Sequence, residues 1–269
     1  MSEQLKLMCV LAHPDDESLG TGGILARYAS EGVETSLITA TRGQRGWKGS
    51  KEDYPGEAAL GDLRTRELEA AAEVLGVRQV FVLEHMDGEL DRADSAEAVR
   101  SIAEIVQRVR PQVVVTFGPD GVYGHPDHIA ISQLATAAVV RAASDTAALD
   151  QPPHLVSKLY YMAPNRDLLD AYQAAFGVFN KRVDDHSRGA VPWEDWALTT
   201  RVETRAFTDT VWQAISRHRS QLRDYAKLRD LPEEHWLSIF GEETYYRVFS
   251  LVNGGRETEG DLFVGLRGT

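Results

Sequence analysis

The run Gln112-Val113-Val114-Val115-Thr116-Phe117 is apolar at successive positions rather than at alternate ones. A strand of that kind is covered on both faces, which is the environment inside a parallel sheet. Outward from it, β-rich apolar runs recur at 5–12, 33–40 and 78–83. The intervals 18–31, 59–76, 94–109 and 126–143 carry helical period instead. In 59–76, Leu63, Leu68, Ala71, Ala72 and Leu75 fall on one stripe and Gly76 stops it. This alternation predicts an α/β chain with a Rossmann-like, doubly wound, mostly parallel sheet flanked by helices. In the usual order 3-2-1-4 the first and fourth strands are neighbours, and ligands bind in the crevice at their carboxyl ends.

Beyond residue 150 the order loosens, with β-like stretches at 155–162 and 244–252 and a helical one at 208–225. We read 1–269 as a single domain, a core over 1–145 carrying an α/β extension over 146–269. Segments 41–58 and 178–196 lack period and exceed simple connectors, as lids and binding loops do. Composition is that of an ordinary globular protein, 43% hydrophobic and 26% charged with 22 Gly and 10 Pro, which excludes collagen-like and disordered chains. The net charge of −12 repels phosphate backbones and anionic headgroups and argues against a nucleic-acid partner. The lone Cys9 cannot form an internal disulfide, no apolar run nears the ~18 residues of a membrane span, and Met1-Ser2-Glu3-Gln4 lacks the features of a signal peptide. A soluble, cytoplasmic protein without membrane insertion is the expectation, with homo-oligomerisation left open.

The tripeptide His-Pro-Asp occurs twice, at 13–15 and 125–127, each time just after a predicted strand. The first copy continues into Asp16 and Glu17; the second follows Tyr123 and Gly124 and continues into His128. Proline suits the first helical position, so residues three apart share a side: His13 with Asp16, and His125 with His128. Adjacent strands would bring both copies to one crevice and gather several imidazoles and carboxylates there. That donor set suits zinc in an open catalytic site, and a cation would relieve the repulsion among Asp15, Asp16 and Glu17. A single His-Pro-Asp ordinarily marks a turn or a helix start. Two copies at strand ends, with His128 and Tyr123 beside the second, favour the metal.

The motifs A-H-P-D-D-E at 12–17 and G-H-P-D-H at 124–128 resemble those of the LmbE-like, or PIG-L, zinc-dependent N-deacetylases, with similarity across 1–145. The resemblance implies that His13, Asp16 and His128 ligate zinc and that Asp15 is the general base. It also implies that His125 polarises the scissile carbonyl or protonates the leaving amine, and that Tyr123 donates to the oxyanion. Asp127 would hold an imidazole in its productive tautomer, with helix capping as the rival reading. Arg64, followed three residues later by Glu67, and Asp87, in Met86-Asp87-Gly88, would contact substrate hydroxyls. Thr41-Arg42-Gly43-Gln44 departs from the family's T-R-G-E at its last position. His218-Arg-Ser-Gln221 is similar to a segment found near such sites, although its spacing with Trp212, Ile215 and Leu222 reads as a core-edge histidine.

The implied activity is hydrolysis of the N-acetyl group of a small N-acetylglucosamine-type sugar or glycoside. Two imidazoles and a carboxylate do not by themselves distinguish zinc from iron, manganese or cobalt. Two other readings stand beside it: an amidase acting on a sugar-linked thiol conjugate, and a non-catalytic sugar- or nucleotide-binding protein. Against a dinucleotide, no G-x-G-x-x-G follows the first strand, since Gly20-Thr21-Gly22-Gly23 lies inside the predicted helix. Trp193 and Trp196 suit either an aromatic wall for a sugar face or a filler against the core.

Overall fold

The computed structural model describes residues 4–144, 151–177, 180–183 and 186–267. Four parallel strands, β1 (Lys6–Leu11), β2 (Glu34–Thr41), β3 (Gln79–His85) and β4 (Val113–Thr116), are joined laterally in the order 3-2-1-4. β5 (Lys158–Met162) adds in parallel beside β4. Of the later strands, β6 (Asn180–Val183) and β7 (His186–Gly189) form a separate antiparallel ribbon within the irregular segment 178–196. β8 (Thr200–Glu203) and β9 (Glu242–Ser250) complete the main sheet, β9 antiparallel to both β5 and β8. The seven-stranded order is β3-β2-β1-β4-β5-β9-β8, mostly parallel and doubly wound. Every residue of β4 is buried, which is why its sequence does not alternate.

The helices are α1 (Asp16–Gly20), α2 (Gly22–Ser30), α3 (Glu57–Val74), α4 (Ser95–Val109), α5 (Gly121–Gly124), α6 (Pro126–Ala142), α7 (Arg166–Phe176), α8 (Thr208–Ile215), α9 (Leu222–Tyr225) and α10 (Glu233–Phe240). No helix among the described residues is long and apolar enough to cross a membrane. The helix expected over 18–31 is two helices broken at Thr21. Just past the break the chain approaches its neighbours closely: a Cβ on Gly23 would lie 2.6 Å from Glu243 Oε1 and from Thr204 Cβ. Glu243 instead accepts the Gly23 N–H at 2.7 Å near the start of α2.

Two further expectations need correcting. The buried stripe of α3 carries Arg64 and Glu67 in place of Leu63, which is only half-buried. The helix expected over 208–225 stops at Ile215, because the intervening polar groups bond elsewhere: His218 to Glu17, Ser220 to Glu67 and Gln221 to the Gly46 carbonyl. α7, α8, α10 and the 3-10 helix Ala226–Asp230 build a satellite core from Ala171, Val211, Ile215, Leu228, Ile239 and Phe240, with Leu19 of α1 packed against it.

Candidate metal centre and active site

β1 delivers the chain to a tight loop before α1. Asp16 Oδ2 closes that loop by accepting the Ala12 and His13 N–H groups at 3.1 and 2.7 Å. Between them Asp15 adopts φ 117°, a left-handed conformation that costs a non-glycine residue of order 1–3 kcal/mol. Its neighbours hold it there. Its N–H donates to Glu17 Oε2 at 2.9 Å, while Arg64 Nη2 and the Tyr225 hydroxyl donate to its Oδ2 at 2.9 and 2.5 Å.

The second His-Pro-Asp leaves β4 through a loop in which Val122 has φ 69°, strained for a β-branched residue. His125 caps α6, its Nδ1 accepting the Asp127 N–H at 3.2 Å, which places the neutral imidazole's proton on Nε2. His128, one turn on, stacks on Phe117 with ring centroids 3.9 Å apart.

The two copies meet. His13 Nδ1 lies 3.2 Å from His128 Nε2 and 3.6 Å from Asp16 Oδ2, and His128 Nε2 lies 3.5 Å from Asp16 Oδ1. Donors bound to one tetrahedral zinc at ~2.0–2.1 Å stand roughly 3.3 Å apart, so this triad fits a single ion. Burial, partly offset by Asp16, pulls His128 down to about 4 and keeps its imidazole neutral, as a ligand must be. Burial opposes ionisation of Asp16, but the hydrogen bonds it accepts from His13 outweigh that and hold the carboxylate charged.

The far side of His13 is equally defined. Its Nε2 faces Asp127 Oδ2 at 2.9 Å and Asp87 Oδ1 at 3.3 Å, which places the ring proton there and leaves Nδ1 for a metal. Asp127 also accepts the Gly88 and Leu90 N–H groups at 2.7 and 3.1 Å, so it ties the segment after β3 to His13 while His125 performs the capping. A second compatible group, His13, His125 and Asp127, shares His13 with the first.

Around this centre, burial pushes the Asp15 carboxyl above its ordinary range, opposed by Arg64 and reinforced by Asp16, which suits a proton acceptor. Burial likewise raises the Tyr123 phenol, helped by Asp16 and Asp15, and keeps it a donor. Its ring lies 5.8 Å from that of His125 and 5.4 Å from that of His128. Asp87 accepts the Arg45 N–H at 3.1 Å while lining the cavity.

Arg64 borders the same cavity as these residues. It is 3% exposed, and its terminal nitrogens donate to the carbonyls of Gly43 and Pro14 and to Asp15. Gly43, at φ 64°, leaves room for that guanidinium, since a Cβ there would collide with Arg64 Nη1. Gln44 bonds to the Arg42 N–H and the His85 carbonyl, a structural use that needs no charge.

The core-edge expectation for His218 is corrected by a fully buried imidazole whose Nε2 lies 2.6 Å from Glu17 Oε1, directly behind the Asp15 loop. Trp193 packs on Tyr246 with ring centroids 5.2 Å apart, and Trp196 is 83% exposed. Tyr225 was not singled out by sequence reasoning; it lies 210 residues from Asp15, and no local pattern marks it. His13, Asp15, Asp16, Tyr123, His125 and His128 all border one cavity of about 600 Å3.

Comparison with known proteins agrees with this geometry. The family profile described as PIG-L, GlcNAc-PI de-N-acetylase, matches residues 8–139. A 1D-myo-inositol 2-acetamido-2-deoxy-alpha-D-glucopyranoside deacetylase from Rhodococcus jostii (strain RHA1) is 34% identical over 99% of both chains. Among solved structures, a conserved protein of Thermus thermophilus superposes with a TM-score of 0.65 at 28% identity, covering 93% of this chain and 98% of that one. The 4-carboxy-2-hydroxymuconate hydratase of Pseudomonas putida KT2440 shares the fold with a TM-score of 0.70 at 20% identity, covering 94% and 99%. With full-length relatives above 30% identity and both motifs at one metal-compatible centre, this chain belongs to the PIG-L, or LmbE-like, family.

Proposed function

We propose that this protein is a zinc-dependent deacetylase that hydrolyses the acetamide of an N-acetylglucosamine-type sugar or glycoside. One observation carries the reading: Asp15 stands between two ligands of a three-donor centre, buried, ionisable and held by two donors. Fold does not separate this chemistry from others, since a hydratase shares it. The full-length deacetylase relative and the placement of Asp15 do favour it.

His13, Asp16 and His128 would hold the zinc, which would supply Lewis acidity and a water of pKa about 7. Iron, manganese or cobalt fit the same donors. Asp15 accepts the proton of the attacking water through its carboxylate. Tyr123 donates to the oxygen of the carbonyl as negative charge develops there. His125 gives its Nε2 proton to the departing amine, and Asp127 keeps His13 oriented throughout. Arg64 acts by positioning Asp15, while Asp87 and Arg45 offer polar groups to the hydroxyls of a small sugar at the mouth.

The test is acetate release by the zinc-loaded protein across N-acetylglucosamine glycosides. Acetate that disappears in Asp15→Ala, with kcat lower by ~10²–10⁴ and zinc content unchanged, supports the reading. Zinc binding without acetate from any of them overturns it. Cleavage confined to sugar-linked thiol conjugates assigns the amidase activity instead.

A further inference from the structure

The lining of the cavity falls into two unlike sets, each joined by its own contacts. One is polar and carries Arg45, Lys48, Asp87, Gln221 and Asp224, which suits a polyol. The other comprises Leu19, Met162, Leu168, Leu169, Tyr172 and Phe176, contributed by α1, β5 and α7. Tyr172 and Phe176 stack there with ring centroids 6.0 Å apart. Glu243 also borders the cavity, but its carboxylate bonds to the Gly23 and Ile24 N–H groups and to the Tyr245 hydroxyl.

We infer that the apolar set receives the acyl chain of the substrate, and that the enzyme accepts N-acyl amino sugars with chains longer than acetyl. The inference rests on the deacetylase reading given above and extends it to the acyl side. The scissile carbonyl must sit beside Asp15 and Tyr123, with the amine nitrogen toward His125 and its sugar toward the charged residues. The substituent on the carbonyl carbon then points to the opposite side, against Leu19 and Tyr172. An acetyl methyl leaves most of that wall uncovered, whereas a cavity of about 600 Å3 is of the size that encloses ligands with many more heavy atoms. The reaction is the same hydrolysis: the amide C–N bond breaks, water supplies the hydroxyl of the released carboxylic acid, and a proton goes to the amine.

The experiment measures glucosamine release by the zinc-loaded, full-length protein from N-acetyl-, N-butanoyl-, N-hexanoyl- and N-octanoylglucosamine. Each added methylene that reaches the wall raises kcat/KM roughly threefold, up to the chain length that fills it. Leu168→Trp, which fills the wall, lowers the hexanoyl-to-acetyl ratio roughly tenfold, and Leu168→Ala shifts the optimum toward a longer chain. The inference is overturned if kcat/KM falls steadily from acetyl upward, or if neither variant moves the ratio. Cleavage of the acetyl compound alone removes this inference and spares the deacetylase reading, while no release from any compound removes both.

Discussion

The hydroxyl of Tyr225 donates to Oδ2 of Asp15 at 2.5 Å, an oxygen that Arg64 Nη2 also engages at 2.9 Å. Two donors on one oxygen direct proton acceptance to the other, Oδ1. They also hold a residue whose backbone is left-handed at φ 117°.

Removing the Tyr225 hydroxyl therefore disturbs Asp15, the proposed base, and leaves His13, Asp16 and His128 in place. Hydrogen bonds to charged groups contribute about 1.5–3 kcal/mol, so Tyr225→Phe lowers kcat roughly tenfold or more. KM stays within about twofold, and zinc content is unchanged. A rise in KM with kcat intact would instead make Tyr225 a substrate contact.

His218 and Glu17 are both fully buried, with their atoms 2.6 Å apart. His218→Leu strands the Glu17 charge and costs about 3–5 kcal/mol, read as a lower urea midpoint at unchanged slope. A loss below about 1 kcal/mol would mean that Glu17 finds compensation elsewhere.

Burial raises Glu243 from 4.5 to about 7, against the lowering effect of its bonds from Tyr245, Gly23 and Ile24. The folded state thus holds this proton more tightly than the unfolded chain does. Its contribution to stability is complete below pH 4.5 and is lost as pH rises through about 7, a change of about 3 kcal/mol. Glu243→Gln keeps an acceptor without the charge, so its stability relative to wild type increases between pH 5 and 8. A pH-independent difference in thermal midpoints would contradict this.

The buried Lys158 Nζ lies 2.6 Å from Glu259 Oε1 and joins β5 to the C-terminal segment. Lys158→Met leaves Glu259 to Arg247, which stands 2.8 Å from the same oxygen. The cost is about 3 kcal/mol, at the lower end for a broken buried pair, and it should appear in one cooperative transition of the whole chain. A separate early transition of the C-terminal segment would contradict its integration into one domain.

The sheet core was legible because β1 and β4 are buried on both faces and their sequences therefore lack alternation. The metal-compatible triad was legible because its residues belong to a short motif repeated at two strand ends that the doubly wound order makes neighbours. Arg64 and Glu67 occupy the buried stripe of α3, where periodicity looked for Leu63, because their polar groups serve Asp15 and Ser220. The break after Ile215, the His218–Glu17 pair and the contact of Tyr225 depend on bonds between segments some 150–210 residues apart. Local pattern does not encode such bonds, so they became visible only with the tertiary structure.

The central claim is that one cation joins the two His-Pro-Asp segments. Anomalous diffraction at the zinc edge from crystals of the zinc-loaded protein tests it directly. The account predicts a single peak about 2.0–2.1 Å from His13 Nδ1, His128 Nε2 and an Asp16 oxygen, beside Asp15. No peak there, or a peak held instead by His125 and Asp127 on the other side of His13, would contradict it.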